Sequence, residues 1–305
     1  MMKNKPIISI CIPAFKRIEI LKKTIDSIYA DAINSNVELS LFEIVISDND
    51  SEHEIKSLVK TYDYPNMYYH QTDCEGFMNS YYVLRYAKGA YLKLLNSQSC
   101  FKLGTLSKMI RLVQECYYDR KVILMTNGML GKKDIHEYDT FNQFMQTSSY
   151  YTSWSNGFGI WKDDFEKLPN IPLNDMFPHT SISFYFCENK KYVIDDRILF
   201  DIQRIKKKGG HNMFKSFSID YTSLLRGLYE QNYITKETYN NIRKDLIYKF
   251  FPHLFFKNQI LKIDNYEYKG FKKNLKQNFP FYAYYMILIL GVLYPLLNFK
   301  RIIKK

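Results

Sequence analysis

Two clusters of small polar side chains follow short apolar segments in the first hundred residues. The first cluster is Asp48, Asn49, Asp50 and Ser51, after the predicted buried strand 42–47, and the second is Asn96, Ser97, Gln98 and Ser99, after residues 90–95. We call the second cluster loop 96–99. Polar side chains at the carboxyl ends of strands face the ligand in open α/β sheets, so both clusters are candidate binding groups. Two plainer interpretations stay open: the first cluster caps a helix beginning near Glu52, and the second is an ordinary strand exit.

A basic segment lies further along the chain and ends in two glycines. Its cations are Arg204, Lys206, Lys207 and Lys208, and we call the segment basic loop 204–208. Lysine and arginine side chains can neutralise phosphate groups, and Gly209 and Gly210 would let the segment close as a lid beside a diphosphate. The plainer interpretation is a solvated run of charge.

The elements that would position these groups alternate between strand and helix patterns. Strands are predicted at residues 7–12, 42–47, 67–70, 90–95, 122–126, 160–161 and 192–194, and helices at 18–29, 55–62, 81–87, 103–117 and 182–187. This alternation predicts an α/β fold with a mostly parallel sheet flanked by helices. From Met213 onward the pattern is helical.

Composition limits the classes of protein that remain. The 305 residues are 46% hydrophobic, which is enough for a proper core, and the five cysteines form no CxxC pair, so a zinc site or disulfide framework is not expected. From Arg204 to the end, 20 Lys and Arg stand against 6 Asp and Glu, whereas the first 203 residues carry a net charge of −2. This asymmetry suggests a polyanionic partner, either nucleic acid or an anionic membrane surface.

The C-terminal region contains 22 residues without a charge, residues 278–299, flanked on both sides by lysines. As a helix they would extend about 33 Å, enough to cross a bilayer core. Pro280 and Pro295 interrupt the segment and tyrosines and asparagines dilute it, so we prefer a helix in the headgroup region. A spanning helix and an ordinary buried helix remain alternatives.

Three segments of the first hundred residues carry recognisable motifs: ISICIPAFKR, FEIVISDNDS and DCEGFMNSYYVLRYAKGAYLKLL, in that order. Together they resemble the family 2 glycosyltransferases with the GT-A fold, in particular bacterial enzymes that build O-antigen or capsule repeat units. The resemblance implies a nucleotide-sugar donor and a polyprenyl-diphosphate-linked glycan acceptor. It also implies a peripheral or monotopic position at the cytoplasmic face of the bacterial inner membrane.

By this resemblance, the donor site lies at the first turn and at both polar clusters. The residues expected to bind the nucleotide-sugar are Pro13, Ala14, Phe15, Arg17, Asp48, Asn49, Asn96, Ser97 and Gln98. A carboxylate and an amide at Asp48 and Asn49 suit the edges of base and ribose, and the backbone of the first turn suits the base.

The chain departs from the family at loop 96–99, where the resembling enzymes carry an Asp-x-Asp motif that holds a divalent metal. Neutral amides and hydroxyls are poor Mg²⁺ or Mn²⁺ ligands, so a metal cofactor is in doubt and we assign no metal ligand. We therefore assign neutralisation of the donor diphosphate to Arg204, Lys206, Lys207 and Lys208.

The segment NDMFPHT, which precedes a predicted apolar helix, occupies the place where the resembling enzymes meet the acceptor hydroxyl. Asp175 is the first candidate for the general base and His179 the second. A helix-capping aspartate and a packed histidine are the plainer alternatives.

The sequence thus predicts a GT-A-like catalytic domain over residues 1–210. A basic, aromatic helical region follows at 211–305, with a membrane-associating tail at 279–299. The predicted function is transfer of a sugar to a lipid-linked oligosaccharide in bacterial surface polysaccharide synthesis. The alternative is an inactive GT-A scaffold that serves as a binding partner at the membrane. Nucleic-acid binding is not expected, because a long uncharged run does not resemble a phosphate-tracking groove.

Overall fold

The structure is a computed structural model that describes residues 5–52, 54–188 and 190–297. These residues form two compact units. The first contains the described residues up to Phe144 together with Tyr151–Arg204, and the second contains Met145–Tyr150 and the described residues from Ile205 onward. The predicted functional division after residue 210 stays a prediction.

The first unit contains ten strands and seven α-helices among its described residues. The fifth of these helices begins in the first unit and ends in the second. The strands are β1 Ile8–Ala14, β2 Phe42–Asp48, β3 Met67–Gln71, β4 Tyr91–Leu94, β5 Ser99–Phe101, β6 Val122–Met125, β7 Ile135–Tyr138, β8 Gly159–Trp161, β9 Tyr192–Asp195 and β10 Phe200–Ile202. The helices are α1 Ile18–Asn34, α2 Glu54–Val59, α3 Asn79–Tyr86, α4 Thr105–Glu115, α5 Phe141–Ser148, α6 Lys162–Glu166 and α7 Pro178–Tyr185.

The main sheet has the order β3-β2-β1-β4-β8, in which the first four strands are parallel and β8 is antiparallel to β4. A three-stranded sheet, β6-β9-β7, and an antiparallel pair, β5-β10, complete the unit. The α/β class and the mostly parallel central sheet are confirmed. The short strands β5, β7 and β10 were not predicted from the sequence.

The central strands β1, β2 and β4 are buried on both faces, which explains why most of their residues are apolar. Ile8, Ile10 and Ile12 of β1 pack with the apolar face of α1, whereas Cys11 packs with Val83 and Leu84 of α3 on the opposite side. Alternate side chains of a strand point to opposite faces, so β1 contributes to both layers of core.

The second unit is helical. Its helices are α8 Met213–Lys215, α9 Tyr221–Glu230, α10 Lys236–Asp245, α11 Phe251–Phe255, α12 Phe271–Asn278, α13 Ala283–Val292 and α14 Tyr294–Leu297, with π-helical segments at Ser216–Asp220, Leu246–Phe250 and Phe256–Ile260. A two-residue strand, β11 Lys208–Gly209, pairs with β12 Asp264–Asn265.

The predicted tail, residues 279–299, divides into the short helices α13 and α14, and its last two residues lie outside the described residues. Ala283, Ile287 and Gly291 form the buried face of α13, and a Cβ atom at Gly291 would lie 2.5 Å from the Phe255 ring. Large apolar side chains on the other face are exposed. Across the described residues, no helix combines the length and the apolar character needed to cross a membrane.

Candidate functional site

A cavity of about 440 Å³ opens where β1, β2 and β3 end. The strands are in register at Ala14, Asp48 and Gln71, so their carboxyl ends and the turns that follow lie together. The cavity is lined by Phe15, Asn49, Asp50, Ser51, Gln71, Thr72, Asp73, Cys74, Glu75 and Gly76. Amide, hydroxyl and carboxylate groups beside one exposed aromatic ring suit a polar ligand with a flat apolar part.

Asp48 and Asn49 differ in their position relative to this cavity. Asp48 is fully buried: its carboxylate accepts hydrogen bonds from the Tyr69 hydroxyl and the Asp50 amide, both at 3.0 Å. Burial, reinforced by this bond to Asp48, raises the pKa of Tyr69 to about 12. Asn49 lines the cavity, and its amide donates to the carbonyl of Cys74 at 3.1 Å. Asp48 therefore supports the turn, while Asn49 faces the ligand space.

Asn79, at the start of α3, clamps the strand ends and was missed by the sequence analysis. Its buried amide donates to the carbonyls of Ala14 and Ser47 and to Oδ1 of Asn49, at 2.9 to 3.1 Å. One side chain thus joins β1, β2 and the cavity wall. The sequence signal for it is its place at the end of the DCEGFMN motif.

The first turn combines an exposed ring with an unusual backbone. Phe15 lines the cavity, and the next two residues, Lys16 and Arg17, both adopt left-handed conformations with φ of 53° and 62°. Such conformations are uncommon for residues with a side chain and often occur at functional sites. Pro13 and Ala14 end β1, and Arg17 is exposed immediately before α1, so neither they nor Arg17 line the cavity.

Loop 96–99 is fixed by its neighbours on several sides. The Asn156 side-chain oxygen accepts from the Asn96 backbone amide at 2.7 Å and from the Ser99 hydroxyl at 2.9 Å. The Thr24 hydroxyl on α1 donates to the Ser97 backbone carbonyl at 2.8 Å, and the Gln203 backbone amide donates to the Gln98 backbone carbonyl at the same distance. The loop is therefore a preorganised turn at the end of β4, although it does not line the 440 Å³ cavity.

The side chains of loop 96–99 do not fit a divalent metal. All four are neutral, whereas Mg²⁺ and Mn²⁺ sites depend on carboxylate oxygens. Among the described residues there is also no cluster of three or more His, Cys, Asp or Glu side chains that could hold a metal ion. Loop 96–99 is therefore not assigned as a metal site.

The predicted diphosphate-neutralising cations fall in different units. Arg204 is exposed and directly follows Gln203, whose amide bonds to Gln98, so it lies in the first unit one residue beyond the contact with loop 96–99. Lys206, Lys207 and Lys208 belong to the second unit, where Lys208 forms part of β11. The structure thus associates Arg204 with the loop.

The two candidate bases lie in contrasting environments. Asp175 is exposed in the turn before α7, and the neighbouring Asn174 organises that turn by accepting the amides of Met176 and Phe177 at 3.0 Å. The acceptor in both bonds is the Asn174 side chain, so Asp175 is not the capping residue of this turn.

His179 is buried in the first turn of α7. Its Nε2 lies 3.0 Å from the Ser153 carbonyl oxygen, and the rings of Phe158 and Phe177 lie near it at 6.0 and 6.5 Å between centroids. Burial lowers the pKa of His179 to about 4, so the ring is neutral near pH 7. This is the environment of a packed histidine, and an imidazole with so low a pKa is a weak proton acceptor.

Comparisons with known proteins agree with this architecture. The profile of the family described as Glycosyl transferase family 2 matches residues 9–168. The structure is similar to S. aureus TarS 1-349 in complex with UDP-GlcNAc, with a TM-score of 0.59, 12% identity, and coverage of 93% of this chain and 89% of that one.

A second similar structure is the mannosyltransferase PcManGT from Pyrobaculum calidifontis in complex with GDP-Man and Mn²⁺. Its TM-score is 0.50 at 12% identity, with coverage of 94% of this chain and 87% of that one. A search of curated proteins found no significant match. At such low identity, the structural similarities establish the fold alone.

Proposed function

The chain belongs to glycosyl transferase family 2, whose profile matches more than half of it, and on that premise we propose a specific reaction. The enzyme transfers a sugar from a nucleotide-sugar donor to a lipid-linked oligosaccharide in the synthesis of a bacterial surface polysaccharide, of the O-antigen or capsule type. The observation that carries the proposal is the polar cavity at the joined carboxyl ends of β1, β2 and β3. Open α/β sheets bind their ligands at this edge.

The donor nucleoside occupies this cavity in our proposal. Phe15 offers an aromatic face to the base, and the Asn49 amide offers hydrogen bonds to base or ribose. Asp48 and Asn79 support the site without contacting the ligand, because their hydrogen bonds fix the turn that carries Asn49. The complexes of TarS with UDP-GlcNAc and of PcManGT with GDP-Man show that ligands of this class bind to proteins of similar fold.

The diphosphate extends from the cavity toward loop 96–99. A departing nucleoside diphosphate gains negative charge, which preorganised donors and cations must stabilise. The loop offers amide and hydroxyl donors in a fixed turn, and Arg204 offers a guanidinium group one residue beyond the Gln98 contact. Lys206, Lys207 and Lys208 extend the same basic segment.

Deprotonation of the acceptor hydroxyl is assigned to Asp175. Its carboxylate is exposed, and the adjacent turn is fixed by Asn174, so the group is both accessible and positioned. A positioned carboxylate that takes a proton as the acceptor attacks typically contributes about 10²- to 10⁴-fold to the rate.

Attachment to the membrane is assigned to α12, α13 and α14. The exposed side chains of the last two helices and of the residue between them include Tyr285, Ile289, Val292, Leu293, Leu296 and Leu297. Lys269, Lys272, Lys273 and Lys276 line a neighbouring cavity of about 540 Å³, and no acidic residue occurs between residues 268 and 297. An apolar face beside lysines suits the headgroup region of an anionic bilayer. A peripheral or monotopic position at the cytoplasmic face of the inner membrane would bring the enzyme to its acceptor.

The test is a donor screen on the full chain. Binding and hydrolysis are measured across UDP-, GDP-, dTDP- and CMP-sugars, with Mn²⁺ and with EDTA. We expect one nucleotide class to bind and to turn over in both conditions. Binding without turnover, even with lipid-linked acceptors supplied, would favour the inactive scaffold, and absence of nucleotide binding would refute the donor-site assignment.

A further inference from the structure

Lys93 is a fully buried lysine in the central sheet. It lies on β4, in register with Ile10 of β1 and Gly159 of β8, and no part of it reaches solvent. Burying an ammonium group is strongly unfavourable unless its hydrogen bonds to water are replaced, so a lysine is rarely fully buried in a strand without specific partners.

The ammonium group of Lys93 is hydrogen-bonded to backbone carbonyl oxygens. Nζ lies 2.7 Å from the oxygen of Leu94, 2.5 Å from that of Asn156 and 3.3 Å from that of Phe158. Three donors thus meet three acceptors, and none of the acceptors carries a charge. Among the described residues, the hydrogen bonds of the Lys93 ammonium therefore go to carbonyl oxygens and not to a carboxylate.

The charged and titratable groups near Lys93 come from two other strands. The thiol of Cys11 lies on β1, and the carboxylate of Asp195 lies at the end of β9. That carboxylate is bound by Arg197 in a bidentate pair, at 2.7 and 2.8 Å. The ring of Phe200 on β10 lies 5.9 Å from the ammonium group. Because Arg197 already binds the Asp195 carboxylate, that carboxylate compensates the positive charge of Lys93 only in part.

Asn156 connects Lys93 to loop 96–99. Its backbone carbonyl accepts from Lys93, and its side-chain oxygen accepts from the Asn96 amide and the Ser99 hydroxyl. Asn156 is itself fully buried, and its side-chain nitrogen has no hydrogen-bond partner within the part of the chain that the structure describes. Its position is therefore set by the bonds to Lys93 and to the loop, and the loop is linked to the lysine through one intervening residue.

We propose that Lys93 is a positioning residue of the donor site, which holds loop 96–99 through Asn156 and adds a positive charge beneath the place where the diphosphate binds. The proposal rests on the proposed function, since it takes the loop to receive the diphosphate. In a buried environment a charge acts over several ångströms with little screening, so Lys93 favours an anion at the loop without touching it.

The ionisation of Lys93 gives this role a measurable signature. Burial lowers the pKa of Lys93 to about 7, with Cys11 and Asp195 opposing part of that shift. The group is charged below this pH and loses its charge above it. Binding of an anion favours the charged form, so diphosphate affinity should fall as the pH rises through about 7.

The experiment compares the wild-type chain with Lys93→Gln, which retains N–H donors for the carbonyls but not the charge. The probes are UDP, GDP and dTDP, and for the one that binds most tightly, its parent nucleoside as well. Dissociation constants are measured by calorimetry at about pH 6 and about pH 8.5. We expect Lys93→Gln to weaken diphosphate binding about tenfold at the lower pH and less than about threefold at the higher pH, with nucleoside affinity unchanged.

A second variant, Asn156→Ala, tests the connection without altering the lysine. It should weaken diphosphate binding at both pH values and keep the pH dependence of the wild type. Equal weakening of nucleoside and diphosphate by Lys93→Gln, or wild-type diphosphate affinity in that variant, would overturn the proposal. If the wild-type chain bound none of the three diphosphates, the proposed donor site itself would be wrong, which separates the two failures.

Discussion

The buried histidine of α7 allows a quantitative test of the site. His179 was the second candidate for the general base, and the structure places it in a closed environment with Nε2 against the Ser153 carbonyl oxygen. We consider the replacement His179→Gln, because the glutamine amide can donate the same hydrogen bond and does not titrate. The variant removes the ionisable group and keeps the bond.

The expected magnitude follows from the pKa. Burial lowers the pKa of His179 from 6.5 to about 4, so between these pH values the unfolded chain binds a proton that the folded chain does not. Protonation therefore favours unfolding, and the free energy of unfolding falls as the pH falls from about 6.5 toward about 4. The full difference is about 3 kcal/mol, at about 1.4 kcal/mol per pKa unit.

The assay is urea denaturation at pH values from about 4.5 to about 7.5, followed by tryptophan fluorescence. The pKa values of His70 and His211 are also lowered, mainly by burial, so the wild type loses stability through them as well. The difference in free energy of unfolding between the wild type and His179→Gln therefore reports the contribution of His179 alone. The variant should lose less stability on acidification and keep sugar transfer within about threefold at about pH 7.5, since a base with so low a pKa contributes little. Parallel stability curves would show that His179 is not held neutral, and loss of transfer in the folded variant would restore it as a base.

Four further predictions concern donor, acceptor and membrane. Asp175→Asn should lower transfer by about 10²-fold or more in steady-state assays with unchanged donor affinity; normal turnover would contradict its role as base. Asp48→Ala should weaken nucleotide binding in calorimetry on a folded protein, because it frees the turn beside Asn49, and unchanged affinity would count against this. Neutralising Arg204 together with Lys206, Lys207 and Lys208 should lower transfer about tenfold, or about 1.4 kcal/mol of barrier, with activity resisting EDTA; strict Mn²⁺ dependence would be inconsistent with this. Leu296→Ser should reduce sedimentation with anionic vesicles, whereas the matched control Leu103→Ser, at 72% exposure against 73%, should not; equal binding by both variants would argue against the apolar face.

Local pattern was sufficient to predict the central sheet. Strands β1, β2 and β4 are mainly apolar segments between turn formers, because both of their faces are buried, and the sequence therefore indicated their position and their type. Helix α1 continues five residues beyond its predicted end at Tyr29, since Asp31 and Ala32 are also buried. Strands β5 and β10 have only three residues each and form by pairing with one another, so no local sequence pattern predicts them.

Of the candidate site, only those groups of residues that are neighbours in the sequence could be predicted from it. The cluster at Asp48 and Asn49 was found because it follows a recognisable strand, but which of the two faces the cavity depends on the hydrogen bonds of Tyr69 and Asn79. The link from loop 96–99 to Asn156 spans about sixty residues of sequence, and the fold alone brings these residues together.

The neutral side chains of loop 96–99 and the buried ammonium of Lys93 are consistent with one another electrostatically. If the loop carried carboxylates, their negative charge would repel an anionic ligand unless a metal ion compensated it. Such a metal ion would in turn lie close to the positive charge of Lys93. In our proposal the loop is neutral, so the buried charge of Lys93 and the exposed guanidinium of Arg204 would both favour the diphosphate without an intervening metal ion. The two cations differ in their exposure to solvent, so salt should weaken the contribution of Arg204 and affect that of Lys93 little. The salt dependence of diphosphate affinity therefore distinguishes a surface contribution from a buried one within the same site.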